Sequence, residues 1–163
     1  MYKLQLDREF SQDLFSESSK EIRDWVVNAI ANIVVADGII EKHEFVALQE
    51  AMGLLDSKEE IIDLMKKVKE RNLFEVKKIK IDPDLSLKIF FYLAGIAVID
   101  GSLKKSEAEL LKKCGNCLDI EVDFIRAVIS WSVKQMEINR KLTQDLKTSN
   151  THRNRIIESI LMN

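Results

Sequence analysis

Four acidic residues stand at matched positions in the two halves of the chain and are its best candidates for chemistry. Asp37 opens an Asp-Gly turn and Glu44 follows seven residues later; Asp100 and Glu107 repeat the arrangement 63 positions further on. Carboxylate oxygens are the ligands that hard divalent cations prefer. The repeat therefore predicts two pseudo-equivalent sites, at Asp37 with Glu44 and at Asp100 with Glu107, for which a divalent cation is one candidate ligand. It does not distinguish calcium, magnesium, manganese and zinc.

Each Asp is expected at the carboxyl end of a helix, where the helix dipole disfavours a negative charge by about 0.3–1 kcal/mol. Asp37 continues the apolar stripe of Ile30 and Ile33, and Asp100 has the same relation to its own helix. Both side chains are therefore predicted to lean toward the core. A bound cation or a basic partner would offset the cost. The alternative is that each Asp caps the amides of its own turn, before a glycine such as Gly38 in the left-handed conformation.

The glutamates have a simpler local explanation. Glu44 and Glu107 are predicted in the first turn of the following helix, where a carboxylate is favoured and can accept from the N-cap amide. A comparison with the EF-hand fails, because loop positions 1 and 3 would be the aliphatic Ile33 and Val35. Any cation must therefore be held by carboxylates and carbonyls that converge from different turns.

The likeness between the halves extends beyond the turns. Residues that recur 63 positions later are Ala31, Ile33, Val35, Leu48, Leu55, Asp56 and Ile62, matched by Ala94, Ile96, Val98, Leu111, Leu118, Asp119 and Ile125. We predict a single domain over 1–163, with two pseudo-symmetric units at about 19–80 and 83–133. Helices within 134–163 are expected to close the bundle.

The composition predicts an all-α fold. Pro83 is the only proline, there are five glycines, and 46% of the residues are apolar. Capping patterns are expected at Ser18 with Glu21, at Asp56 with Glu59, and at Asp82 before Pro83. Trp25, Trp131 and the aromatic run 90–92 have core spacing. About seven helices are predicted, at 19–37, 41–52, 57–71, 83–100, 104–116, 120–147 and 151–162, with a short one near 7–16.

Charge and cysteine content limit the partners. The net charge of −2 disfavours nucleic acid as a partner, although residues 64–80 hold seven basic and two acidic side chains. That stretch is either a solvated face or a docking surface for an acidic partner. Two cysteines indicate a reducing cytoplasm, and Cys114 and Cys117 are interpreted as small buried hydrophobes rather than a zinc or redox motif. No uncharged stretch reaches the ~20 residues of a membrane span.

One motif resembles the tellurite-resistance TerB-like family. In this motif a helix ends in Ala36-Asp37-Gly38, an aliphatic residue stands two positions after the Asp, and a Glu follows soon after it. The resemblance covers roughly residues 19–130 and includes both turns. It implies two pseudo-symmetric helical units whose acids, here Asp37, Glu44, Asp100 and Glu107, hold a divalent metal, in a tellurite-resistance or stress-response context. The chain departs from the family at the N-caps, where Glu41 and Lys104 replace the usual Ser or Thr.

No nucleophile–base pair or phosphate-binding glycine loop is present in the sequence, so a non-enzymatic role through protein partners is expected, and a homodimer is compatible with it. The alternative is a purely structural or adaptor module without metal. In that case the basic stretch 64–80 or the last helix would contact the partners.

Overall fold

A computed structural model describes residues 15, 17–36, 38–40, 42–71, 75–98, 103–148 and 150–162. Within these ranges the chain forms helices and no strand, so the predicted all-α class is confirmed. The predicted boundaries agree with the observed ones within a few residues. The short helix expected near 7–16 lies outside the described residues, apart from Phe15, which is buried. The helices are α1 (Lys20–Val35), α2 (Lys42–Met52), α3 (Lys58–Glu70), α4 (Pro83–Ala97), α5 (Lys105–Cys117), α6 (Val122–Thr148) and α7 (Asn150–Met162).

The amino ends of α1 and α3 are capped one residue later than predicted. Ser57, not Asp56, caps α3: its Oγ accepts from the Glu60 amide at 3.2 Å, and the Glu60 carboxylate accepts from the Ser57 amide at 3.2 Å. Asp56 is instead engaged by basic side chains of α1. Ser19 rather than Ser18 caps α1. At α3 the ion pairs of Asp56 with α1 leave the cap position to Ser57.

The amino end of α4 agrees with the prediction. Asp82 is the N-cap and accepts from the Leu85 amide at 3.3 Å, and Pro83 occupies the first helical position. Proline is favoured there because its fixed φ suits the helix and no intrahelical amide is lost.

The core lies where α1, α4 and α5 meet. α1 packs against α2, α4 and α5, and α4 also packs against α5 and α6. Both predicted apolar stripes are inside: Ile30 and Ile33 of α1 are fully buried, as are Leu93 and Ile96 of α4. Full burial of each such side chain stabilises the fold by about 1.5–3 kcal/mol.

Two aromatic residues predicted in the core are on the surface. Phe91 and Trp131 are exposed, and Phe124 lies between them in edge-to-face contact with both rings. Their helical spacing is correct for a buried stripe, but α4 and α6 bury other faces here. Trp25 is buried as expected.

The connection between α3 and α4 is fixed to the body of the protein. Val76 and Ile79 are buried, the Trp25 indole donates to the Lys77 carbonyl at 2.7 Å, and the Ile79 amide donates to the Cys117 carbonyl at 3.0 Å. The lysines at 77, 78 and 80 are exposed. This part of the basic stretch 64–80 therefore has a defined backbone and outward-facing charges.

The likeness between the halves in sequence is not matched by burial at the third helix of each predicted unit. Ile62 of α3 is exposed, whereas its counterpart Ile125 of α6 is buried. α3 buries Leu64 and Val68 from its 13 residues, while α6 has 27 residues and packs against α4, α5 and α7. The longer helix covers surface that α3 does not.

Candidate functional site

Two of the four predicted metal ligands can be located. Asp37 and Asp100 lie outside the described residues, so the meeting of the four acids stays a prediction. No group of three or more His, Cys, Asp or Glu side chains able to hold a metal occurs among the residues that the structure describes.

Glu44 and Glu107 are buried at equivalent places. Each is the third residue of its helix, in α2 and α5, and the exposed fractions are 1% and 0%. In the described part of the chain they are the only acidic or basic side chains inside the protein. A glutamate at this position needs no burial to bond back to a cap, so the burial is a separate property of the site.

The local bond predicted for Glu107 is present. Its Oε2 accepts from the backbone amide of Lys104 at 2.8 Å. Lys104 is the N-cap, in an extended conformation, and a lysine side chain has no acceptor with which to cap the helix. The carboxylate of Glu107 thus provides a terminal hydrogen bond at the amino end of α5.

This bond acts against the free-energy cost of burying the charge. A hydrogen bond to a charged group contributes about 1.5–3 kcal/mol, and a helix amino terminus up to ~2 kcal/mol in a partly buried geometry. Removing a carboxylate from water costs several kcal/mol. Burial of Glu44 and Glu107 therefore has a cost in free energy, which hydrogen bonds and the helix amino terminus offset in part.

The first acidic turn has the backbone form that the sequence predicts. Gly38 has φ of 82°, the left-handed conformation, and its amide donates to the Val35 carbonyl at 3.1 Å. A side chain at this position would be disfavoured by the left-handed backbone, and Nη1 of Arg71, which lies 3.0 Å from the place of a Cβ atom, would have to move slightly.

Arg71 supplies a positive charge at this turn. Its Nη2 donates to the carbonyl oxygen of Gly38, the residue directly after Asp37. Arg71 caps α3 in the left-handed conformation, φ 54°, and its amide donates to the carbonyls of Lys67 and Val68. The bend places the guanidinium over the turn.

A cluster of ion pairs at the other end aligns α3 with α1. Lys20 bridges Asp56 and Glu60, and Arg23 Nη1 lies 2.9 Å from Asp56 Oδ1. The two helices therefore run in the same direction, joined at their amino ends by this cluster and at their carboxyl ends by Arg71.

The cluster shifts the titration of its members. The hydrogen bond from Arg23, and then that from Lys20, lowers the pKa of Asp56 below its usual range. The hydrogen bond from Lys20 lowers the pKa of Glu60. Burial raises the pKa of neighbouring Asp24. The cluster thus stabilises the ionised forms of Asp56 and Glu60.

The position of Arg71 is not repeated by its counterpart in the second half of the chain. The residue 63 positions after Arg71 is Lys134, which is exposed in the middle of α6 rather than at a helix end. Sequence reasoning placed Arg71 only within a basic stretch. The available signals were its register with Lys134 and its place at the end of the helix predicted over 57–71.

The cysteine pair agrees in part with its interpretation. Cys114 is buried, and burial raises its pKa to about 12. Cys117 is half-buried, and its Sγ donates to the Val76 carbonyl at 3.5 Å. The second cysteine therefore also helps to hold the connection between α3 and α4.

Comparison of the chain with family models, curated proteins and solved structures finds no match. Of the helices in the described part of the chain, none combines the length and apolarity that crossing a membrane requires.

Proposed function

We propose that the chain is a non-enzymatic TerB-like domain of two pseudo-symmetric units that binds a divalent cation at its acidic turns and acts through protein partners. The supporting observation is the burial of Glu44 and Glu107 at the same position of equivalent helices. Buried carboxylates in proteins are paired, hydrogen-bonded or bound to metal. The stress-response or tellurite-resistance context and the cytoplasmic location rest on the family resemblance and the cysteine content.

A cation at these turns would offset two unfavourable contributions to the free energy of folding. It would neutralise Asp37 or Asp100 at the unfavourable end of a helix dipole, and it would compensate the buried charge of the following glutamate. All four side chains offer oxygen, which suits a hard cation with oxygen ligands. In this proposal the metal links the end of one helix to the start of the next and so stabilises the turn that faces a partner.

Thermal unfolding with calcium, magnesium, manganese or zinc tests the proposal. A cation at 100 times its Kd adds about 2.7 kcal/mol, which corresponds to a rise in Tm of roughly 5–11 °C for a chain of this size. The double variant Asp37→Asn/Asp100→Asn is expected to lose this rise in Tm. The single variants Glu44→Gln and Glu107→Gln are each expected to lose part of it. The matched controls are Glu50→Gln on α2 and Glu109→Gln on α5, since both positions are exposed.

Two results would contradict the metal proposal. If wild-type protein freed of metal by a chelator shows no rise in Tm at millimolar concentrations of any of the four cations, the metal proposal is wrong. The same follows if Glu50→Gln abolishes the rise as fully as Glu44→Gln.

The contact of Arg71 with Gly38 favours a second candidate, a structural or adaptor module in which the first turn takes its positive charge from the chain itself. Partners would then bind the exposed lysines of the connection between α3 and α4 or the last helix. In this case Arg71→Ala lowers Tm equally with and without added cation. A larger cation response in Arg71→Ala than in wild type would favour the metal proposal instead.

A further inference from the structure

Three aromatic side chains of α4 and α6 lie in contact with one another at the surface of the protein. Phe91 of α4 and Trp131 of α6 are 39% and 48% exposed, and the half-buried Phe124 lies between them. The centroid of the Phe124 ring is 6.0 Å from that of Phe91 and 6.4 Å from that of Trp131, with the ring planes almost perpendicular. Edge-to-face contacts of this kind are favourable, so the three rings form one contiguous apolar surface.

The same face of α6 continues with an exposed aliphatic side chain. Ile138 is 52% exposed and follows Trp131 by seven residues, just as Trp131 follows Phe124 by seven. A repeat of seven residues keeps apolar side chains on nearly the same side of a helix and is the pattern by which one helix packs along another. Phe91, Phe124, Trp131 and Ile138 are here called the α6 surface. The repeat favours a helix as its partner.

The α6 surface is symmetric about Trp131. Phe124 lies seven residues before Trp131, and Ile138 lies seven residues after it. When a second α6 crosses in the antiparallel direction at Trp131, the two Trp131 rings meet, and each Phe124 meets Ile138 of the other copy. A surface that matches itself after a twofold rotation is what a symmetric dimer contact requires.

Exposed charges beside the α6 surface are also matched in the antiparallel direction. Asp123 and Lys141 are 18 residues apart, which is about five turns of helix, so both lie on one edge of the surface. Asp123 lies eight residues before Trp131 and Lys141 lies ten after it, so each faces the other across the antiparallel pair. Arg126, five residues before Trp131, and Glu137, six after it, match in the same way. Unlike charges therefore meet at both ends of the contact.

A parallel pair would oppose like charges. Each exposed side chain would then face its own counterpart, so Lys134 would meet Lys134 and Lys141 would meet Lys141. In the antiparallel pair Lys134 instead faces the uncharged Ala127 and Val128. Lys88 lies on α4, outside the length of α6, and does not distinguish the two directions.

The mixture of charges also argues against a partner of one charge sign. Asp123 and Glu137 would repel a nucleic acid or an acidic peptide, and Lys134 and Lys141 would repel a basic one. A second copy of the chain in the antiparallel direction has the pattern of charges that complements this one.

We propose that two copies of the chain associate through their α6 surfaces, with the two α6 helices antiparallel and crossing at Trp131. The twofold axis passes between the two Trp131 side chains, and Phe124 packs against Ile138 of the other copy on either side of it. Tryptophan at the centre of an interface is among the residues that contribute most to binding. The contact is closed, because it uses the α6 surface of both copies. It needs no metal and stands apart from the cation proposal.

Substitution of exposed isoleucines tests the location of the contact. Ile138→Glu is expected at the monomer mass of 18.8 kDa, because a carboxylate would be placed against Phe124 of the other copy. The matched control is Ile62→Glu, an exposed isoleucine of α3 outside the α6 surface, which is expected to dimerise as wild type does. Trp131→Ala is expected to weaken the dimer at least about 30-fold.

Charge reversal tests the direction of the helices. Asp123→Lys and Lys141→Asp each replace two attractive pairs in the dimer by two repulsive ones, and each is expected to weaken it about tenfold at low salt. The double variant Asp123→Lys/Lys141→Asp restores unlike pairs in the antiparallel dimer and is expected to recover the affinity of wild type. In a parallel pair the charges at each position are alike in every one of these variants, so neither loss nor recovery is expected.

Sedimentation velocity in EDTA measures these masses over roughly 1–200 µM, with circular dichroism to confirm that each variant is folded. Wild type is expected to double its mass over this range. The differences between the charge variants are expected to shrink at high salt, because salt screens exposed charges.

Three results would overturn the proposal. These are a wild type that stays monomeric at the highest concentration, a folded Ile138→Glu that dimerises as wild type does, and a folded double charge variant that dimerises no more tightly than the single ones. Dimers that form while the metal-dependent rise in Tm is absent would support this inference and refute only the cation site.

Discussion

The contact between Arg71 and the first turn gives the sharpest prediction, because two substitutions at this position separate its two contributions. Arg71→Ala removes the guanidinium that donates to Gly38 but keeps a side chain in the left-handed conformation, φ 54°. Arg71→Gly removes the same guanidinium and also relieves that conformation.

The magnitudes follow from the geometry. A hydrogen bond from a charged donor contributes about 1.5–3 kcal/mol, and the exposure of Arg71 places this one at the low end. The left-handed conformation costs a side chain about 1 kcal/mol relative to glycine. We therefore expect Arg71→Ala to lose about 1–1.5 kcal/mol and Arg71→Gly to lose less than about 0.5 kcal/mol.

Urea unfolding followed by the fluorescence of buried Trp25 measures both losses, and Tm is expected to fall by roughly 2–6 °C for Arg71→Ala. The matched control is Lys134→Ala, at the equivalent place of the second half but exposed within a helix, which is expected to change stability by less than ~0.5 kcal/mol. If Arg71→Ala and Lys134→Ala cost the same, the guanidinium does not support the turn and the reasoning is refuted. If Arg71→Gly is as destabilised as Arg71→Ala, the left-handed cost is wrong.

Three further predictions concern the body of the protein. Gly115→Ala is expected to lose about 1–2 kcal/mol in urea unfolding, because a Cβ would lie 2.5 Å from Cδ1 of Ile125, and adding Ile125→Val should recover part of the loss. Because the pKa of Asp56 is lowered in the folded protein, its contribution to the free energy of unfolding is present above its unfolded pKa near 3.8 and is lost as pH falls. Asp56→Asn should therefore lose less stability than wild type between pH 5 and pH 2. Cys114, buried and with a pKa of about 12, is expected to stay unmodified by a thiol reagent at pH 8 until the protein is unfolded, as mass spectrometry would show.

The helices could be predicted from the sequence because local signals agree along most of the chain. Apolar residues recur at helical spacing in α1 and α4, breakers are scarce, and Asp82 with Pro83 marks the start of α4. The left-handed Gly38 and the back-bond of Glu107 followed from the same local rules. These features depend on neighbours a few residues away, which a sequence displays.

Features that depend on packing between distant segments were missed. Phe91 and Trp131 have helical core spacing, but which face is covered depends on where α4 and α6 meet. The cap of α3 is Ser57 and not the predicted Asp56, which is held by Arg23 from another helix. The contact of Arg71 with the first turn was not predicted for the same reason, since its partner Gly38 is 33 residues away in the chain.

The residues that recur in both halves are of two kinds, aliphatic and acidic. The acidic ones support the case for a function. Aliphatic pairs such as Ile33 and Ile96 recur in the interior, where packing alone requires them. Packing does not require Glu44 and Glu107, because an apolar residue of similar volume would fill the same space without the cost of a buried charge. Nor does helix capping require them to be buried, since Glu60 caps α3 from a position near the surface. A pair of buried acids at the same position of two helices is compatible with a site for a positive charge.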